Sequence, residues 1–430
     1  MNYNESDFIE NNTKVKSSKE NKLYYPLLIM FMLLIIETTF VVCLIVKISS
    51  TINESTYLAT TKSDETSEDL SDTLETLEEI DKYYSGAYVN DIDYDDLTLK
   101  MGNALIASYG DKYGVYLDPE LTNNQNAELN NELSGIGVLV RAEVAESEDD
   151  FDRLYVIEAY KGSDALDKGI TTGSLITAIN GNKINFAEQS YDDVIGEIRG
   201  DAGTTVDITF LDKEGKENTY SVERRMVETT TVKYKVINNN IGYINIRDFT
   251  YSTDEEFKAV IEYMSHRNID KFIFDLRDNT GGLLDTVVNM LDTLLKEKDL
   301  IYIENKDKEI VETYKSDSNG YEFDAVCIIN GNSASASELF VKSLQEEGHT
   351  VVGTQSYGKG TVCSVIPLEN GGSLQLSTFR YLTSSKECVE GIGITPDIEL
   401  KLPEHKEAIQ YKLDIKDDDI IIESVKLLSE

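Results

Sequence analysis

Tryptophan is absent from the 430 residues, proline occurs five times and histidine three times. The first two shortages exclude no function. The third is informative, because His266, His349 and His405 fit no H-E-x-x-H pattern, so a zinc peptidase has no support. Cysteine is also scarce. Cys43, Cys327, Cys363 and Cys388 are scattered, with no C-x-x-C pair. That pattern is neither a disulfide scaffold nor a zinc site, and it leaves a single Cys363–Cys388 bridge open. Basic residues are outnumbered, 40 against 79 acidic ones, for a net charge of −39. Affinity for nucleic acid comes from Lys and Arg neutralising phosphates, so nucleic acid is not an expected partner. The plain expectation is an acidic, solvated surface.

Long apolar runs are missing except at residues 23–46, "LYYPLLIMFMLLIIETTFVVCLIV". At ~1.5 Å per residue this stretch reaches ~36 Å, enough to span a hydrocarbon core of ~30 Å. No small-residue cleavage site follows, so the spacing predicts an uncleaved anchor in a lipid bilayer. Lys14, Lys16, Lys19 and Lys22 precede the run, and only Lys47 follows it closely. The positive-inside rule then predicts a single-pass protein of the cell membrane, with a cytoplasmic tail at 1–22 and an extracytoplasmic remainder. Glu37 inside the run is costly there and reads as a tolerated polar residue or a contact to a partner helix.

Residues 47–68 read as a polar linker. A helical region is expected over 69–130, where Leu70, Leu74, Leu77 and Ile80 recur at helical spacing. Ordinary helix packing explains such stripes, and a homodimer is the sharper alternative. Over 131–226, short β-rich runs alternate with glycine punctuation around one helix-like segment, "YDDVIGEIR". That predicts a small, mostly β module. Over 227–400, strand and helix alternate: "IGYINIRDF", "TDEEFKAVIEYMSH", "KFIFDLRD", "LLDTVVNMLDTLLKE", "AVCIING", "NSASASELFVKSLQEEG", "TVVGT". This rhythm predicts an α/β core with a largely parallel sheet, whose ligands sit beyond the carboxyl ends of the strands. Residues 401–430 read as a C-terminal extension.

Two loops at such strand ends can carry chemistry. Ser333, Ser335 and Ser337 crowd the strand-to-helix junction after "AVCIING", where unsatisfied N–H groups would suit an oxyanion. Simple capping, helped by Glu338, is the competing reading. A nucleophilic serine needs a base. His349 lies at the far end of the serine's own helix, ~20 Å away. Lys359, in "YGKG" after the next strand, would face the same sheet edge and so lie beside the serine loop. The alternative use of "YGKG", as a phosphate loop, fails because the G-x-x-x-x-G-K-[ST] spacing and the following helix are both missing.

"IFDLRDNTGGLL" followed by "NGNSASASELFVKSLQEEGHTVVGTQSYGKGTV" resembles the carboxy-terminal processing peptidase family, the tail-specific serine proteases. "GIGVLV", "AYKGSDALDKGITTGSLITAINGNKI" and "IRGDAGTTVDITF" are similar to the family's PDZ domain, "YGDKYGVYLDPE" to its amino-terminal motif and "GIGITPDI" to its carboxy-terminal one. The resemblance implies a crotonase-like α/β peptidase core with an inserted PDZ domain. It makes Ser335 the nucleophile and Lys359 the general base. The N–H groups of Ala336 and of Gly281 or Gly282 would form the oxyanion hole. The loop Gly135, Ile136, Gly137 would receive the carboxy-terminal tail of a protein substrate, and neither metal nor cofactor would be required.

The sequence departs from the family where a glutamine usually orients the lysine, in "GKGxxQ". Here that position is Cys363, a weak hydrogen-bond partner. The family's "NPGG" reads "NTGG", and the PDZ "GD" reads Gly173–Ser174. Cys363 motivates a second expectation, a catalytically impaired scaffold that binds tails without cutting them. It also motivates a minor third, a thiol nucleophile or redox switch at Cys363 itself.

Overall fold

The computed structural model describes residues 70–145 and 150–429. The expected cytoplasmic tail, membrane span and polar linker lie outside these residues. Among the described residues no helix is long and apolar enough to cross a membrane. The chain divides into two compact units after Ile92. The described part of the first forms α1 (Ser71–Ala87), on which Leu74 and Ile80 are exposed.

The second unit opens with α2 (Tyr94–Ser108), in which the N–H groups of Asp95 and Asp96 donate to the capping Asp93 side chain. Next come β1 (Val115–Leu117) and α3 (Pro119–Leu129), which starts on Asp118 as its cap with proline in the first turn.

The β-rich module is entered through β2 (Glu132–Gly135). It contains β3 (Val138–Glu143), β4 (Arg153–Ala159), the single turn α4 (Asp164–Asp167), β5 (Leu175–Ile179), β6 (Asn182–Lys183), α5 (Tyr191–Ile198), β7 (Thr205–Leu211) and β8 (Glu217–Glu223). The chain leaves through β9 (Arg225–Glu228), which pairs antiparallel with β2. One two-stranded ribbon therefore carries the module into and out of the chain. Its antiparallel sheet runs β3-β4-β5-β7-β8, with β6 on β5. Val156, Ile176, Ile208 and Phe210 point to a core separate from the rest.

The α/β core starts with the hairpin β10 (Val232–Ile237) and β11 (Ile241–Ile246). Asn238 and Asn239 form its turn at φ 50° and 63°, a conformation asparagine tolerates. Then follow α6 (Thr253–Ser265), β12 (Lys271–Asp275), α7 (Leu284–Leu294), β13 (Asp299–Glu304), β14 (Ile310–Lys315), β15 (Asp324–Ile329), α8 (Ala336–Glu346), β16 (Thr350–Gly353), β17 (Thr361–Pro367), β18 (Ser373–Leu382), β19 (Ile398–Glu399), α9 (Glu404–Glu407) and α10 (Asp419–Leu427). The main sheet has the order β10-β11-β12-β15-β16-β19, and every pair after the hairpin is parallel.

Side chains alternate across a strand, so a sheet buried on both faces needs apolar residues at every position. Phe272 and Phe274 of β12 join the layer made with α6, α7 and α8, whereas Ile273 faces the opposite way. That opposite layer comes from Leu402, Ile420, Ile421 and Leu428. The residues read from sequence as an extension thus cover the second face of the sheet. Arg277 locks them on, pairing at once with Asp275 and with the α10 cap Asp418, all three buried.

A second, antiparallel sheet joins β1, β18, β13 and β14, with β17 also on β18. The amino-terminal strand β1 therefore lies in the same sheet as β17, the strand that leaves the Lys359 loop.

Candidate active site

Three successive connections meet at the carboxyl edge of the parallel sheet: residues 276–283 after β12, 330–335 after β15 and 354–360 after β16. The parallel pairing of β12 with β15 and of β15 with β16 makes them neighbours.

The three crowded serines separate at once. Ser333 and Ser337 are fully buried, and their hydroxyls donate to the carbonyls of Leu276 (2.8 Å) and Asn279 (2.9 Å). They are structural. Ser335 instead stands at φ 56°, ψ −116°, immediately before α8, and lines a cleft. A non-glycine residue in that region is strained by ~1–3 kcal/mol, which the surrounding contacts must offset.

Those contacts centre on Glu338, buried in the first turn of α8. One of its oxygens accepts the N–H of Ser335 (2.9 Å) and of Lys359 (2.8 Å). The other accepts the N–H of Gly358 (2.7 Å) and the hydroxyl of Ser356 (2.6 Å). A single carboxylate therefore ties the serine turn to the lysine turn. Tyr381 of β18 ties them a second time, its hydroxyl lying 2.8 Å from the Lys359 carbonyl and 3.1 Å from the Ser335 carbonyl. Sequence reasoning treated Glu338 as a helix cap and passed over Tyr381. The capping role is real, but the longer-range one depends on a loop far along the chain and leaves no local signal.

The two glycines of "TGG" also part. Gly281 packs against the serine turn, where a Cβ would come 2.8 Å from Ser335 Cβ, and its N–H donates to Asn279 Oδ1 (2.8 Å). That donor is engaged. Gly282 lines the cleft with Ala336, and among the described residues neither N–H has a hydrogen-bond partner. The chain is held here by its neighbours, the Gly281 carbonyl accepting from Phe249 N–H and the Leu283 N–H donating to the Phe249 carbonyl. The cleft has a volume of about 250 Å³ and is walled by Leu129, Leu284, Leu339 and Val362, with Ser335 and Lys359 facing it.

Cys363, one turn of strand beyond Lys359, lies at the cleft wall. Its sulfur sits 3.8 Å from the Ser377 hydroxyl, and burial pushes its thiol above the ordinary range while nearby Lys359 acts against that push. A thiol held protonated is a poor nucleophile, which disfavours a reactive Cys363. Cys363 and Cys388 are both free, so the bridge left open by sequence is not formed. Among the described residues no cluster of His, Cys, Asp and Glu is arranged to hold a metal. His349 is half-buried and stacks on Phe323 with ring centroids 4.6 Å apart.

The predicted tail loop lies elsewhere. Gly135, Ile136 and Gly137 line a groove of about 320 Å³ between β3 and α5, bordered by Arg199, Arg247 and Asp248.

A parallel α/β sheet with a strained serine at its carboxyl edge suits a serine hydrolase, and comparison with known proteins places the chain among the serine-type peptidases. Residues 240–400 match the model of peptidase family S41. The chain is 30% identical over 302 residues to a carboxy-terminal-processing protease of Bartonella bacilliformis, covering 68% of this chain and 67% of that one. It is 28% identical over 337 residues to a "Probable CtpA-like serine protease" of Staphylococcus aureus strain COL, covering 77% and 66%. It thus spans about two thirds of the length of these curated relatives. Its fold is similar to that of a crystallised Bacteroides fragilis protein assigned to the S41 proteases, with a TM-score of 0.56 at 15% identity over 80% of this chain and 92% of the other. The chain belongs to the carboxy-terminal-processing proteases of peptidase family S41 and is a serine-type peptidase.

Proposed function

We propose that this protein is a membrane-anchored extracytoplasmic endopeptidase that cuts proteins chosen by their carboxy-terminal tails, with Ser335 and Lys359 as its dyad. The observation that carries the reading is the double tie, through Glu338 and Tyr381, that holds the two turns at one cleft. Ser335 Oγ attacks the scissile carbonyl while its proton passes to Lys359 Nζ. The developing oxyanion meets the open N–H groups of Ala336 and Gly282. Lys359 then returns the proton to the leaving amine, and water releases the acyl group by the same route reversed.

The module between β2 and β9 is read as a PDZ domain. Its groove between a strand and a helix would take a peptide tail as an added strand, with the N–H groups of Gly135–Gly137 on the terminal carboxylate. Residues 23–46 are read as the anchor, on hydropathy and flanking lysines.

The test is cleavage of an unstructured peptide with a free carboxy-terminal tail. Ser335→Ala and Lys359→Ala proteins should each lose at least ~10³-fold in kcat/KM. Cleavage at the parent rate by either protein defeats the dyad. Amidating the peptide's terminus should raise KM if the groove reads the carboxylate. Carbonate-resistant membrane association lost on deleting residues 23–46 tests the anchor.

One observation favours a second reading. The Cys363 side chain faces Ser377 and supplies no strong acceptor to the lysine amine. If the protein is an impaired tail-binding scaffold, cleavage will appear only in a Cys363→Gln variant. Robust cleavage by the parent removes that reading.

A further inference from the structure

We propose that the aromatic ring of Tyr113, from the amino-terminal segment, is the positioning group for the Lys359 amine. The inference rests on the dyad reading above and adds a residue to it.

The backbone of Lys359 is held at both its N–H and its carbonyl. Its amine is another matter, since among the described residues it forms no ion pair and no hydrogen bond. What it does meet is the face of Tyr113, with Nζ 4.9 Å from the ring centroid. A cation at that distance is attracted by the negative face of the ring.

The ring is held firmly. Its hydroxyl lies 3.1 Å from Glu390 Oε1 and 3.4 Å from the Gly358 carbonyl, so it is tied to the lysine turn itself. Its backbone N–H donates to Asp111, and the Asp111 carboxylate also accepts the N–H and hydroxyl of Ser377 on β18. Glu390 in turn accepts the N–H of Gly360. The glycines either side of Lys359 are therefore linked to the same network as the ring. Lys112 reaches the ring too, at 4.9 Å, but it is solvent-exposed and also rests on Tyr357 at 4.8 Å.

The chemistry follows from where charge appears. As the Ser335 Oγ electron pair forms the new C–O bond, its proton moves to Lys359 Nζ and creates an ammonium. The ring face stabilises that ammonium where it forms, without offering a donor that would compete for the amine lone pair. Cys363, facing Ser377, leaves the place beside the amine free for the ring.

The test uses the full-length chain in detergent, with position 113 carrying phenylalanine or its mono-, di- and trifluorinated forms. Fluorine drains the ring face while nearly keeping its shape. Rates are read with a quenched fluorescent peptide at a pH where the parent's kcat no longer changes with pH. The other groups around the lysine turn and the ring, namely Glu390, Cys363, Asp111, Glu338, Tyr381 and Lys112, stay the same through the series. Tyr113→Phe, which gives up the hydroxyl contacts to Glu390 and Gly358, sets the reference rate, and from it kcat should fall stepwise across the fluorinated rings by about two- to thirty-fold in all, with KM little changed. A flat series, with the parent active and Ser335→Ala inactive, overturns the inference and leaves the dyad standing. A fall carried by KM alone also overturns it. A parent that does not cleave, or that cleaves equally well as Ser335→Ala, overturns the dyad reading and this inference with it.

Discussion

At the scale of single residues, the site turns on a carboxylate that contributes no step to the reaction. Glu338 accepts four donors from two turns, and no water can replace it because it is fully buried. Glu338→Gln keeps the shape but turns one acceptor into a donor facing N–H groups. It should cost on the order of 3 kcal/mol of stability and at least ~10-fold in kcat, read by thermal melting and peptide cleavage. A variant with parental kcat would show that the turns hold their places without it. The glycines make a matching case. Gly282 sits at φ 140°, and an added Cβ would come 2.3 Å from the Phe249 carbonyl oxygen. Gly282→Ala should therefore displace the backbone that lines the cleft and suppress kcat, measured against an unchanged cleft-distant control. The family resemblance singled out Ser335, whereas residue chemistry alone did not separate it from Ser333 and Ser337. All three are serines at a helix start, and only the φ of 56° and the burial of the other two tell them apart.

Between elements, the alternating strands and helices of the main sheet were legible because parallel strands buried on both faces are continuous apolar runs. The second sheet was not. Its strands come from separated parts of the chain, 115–117, 299–315 and 361–382, and each is short or half-polar. Yet this sheet brings the amino-terminal segment to the lysine turn. Asp111 is its clasp. Burial alone would raise the Asp111 carboxyl, but hydrogen bonds from Ser377, Tyr113 and Gly114 outweigh that and hold it below the ordinary 3.8. A lowered folded-state value means that the carboxylate form binds the fold. Its contribution is present above about pH 4 and is lost as pH falls through the lower folded value. Amide exchange at Tyr113, Gly114 and Ser377 should accordingly stay slow from neutral pH to about 4 and quicken below it relative to the intrinsic rate. An Asp111→Asn protein should show faster exchange there already at neutral pH.

Over the whole molecule, stability depends on the last residues of the chain. Leu402, Ile420, Ile421 and Leu428 cover one face of the main sheet, and Asp418 supplies half of the charge around the buried Arg277. Asp418→Ala leaves that guanidinium with one partner and α10 without its cap. It should cost about 3–5 kcal/mol, seen as a lowered denaturation midpoint. Removal of residues 401–430 should expose the sheet and yield aggregated protein, whereas a soluble, active product would show that the second layer is dispensable.

By itself the sequence determined the local character of this protein: strand-helix alternation, a glycine-punctuated β module, an acidic surface, and family motifs naming a serine and a lysine. These follow from periodicity and residue type within a few turns of chain. The tertiary structure decided which serine is strained toward the cleft, which glycine keeps an open N–H, what covers the sheet, and that Tyr113 rests on Lys359. Those outcomes depend on contacts between residues far apart in the chain, which burial, hydrogen bonding and chain crossing settle only when the whole fold is assembled.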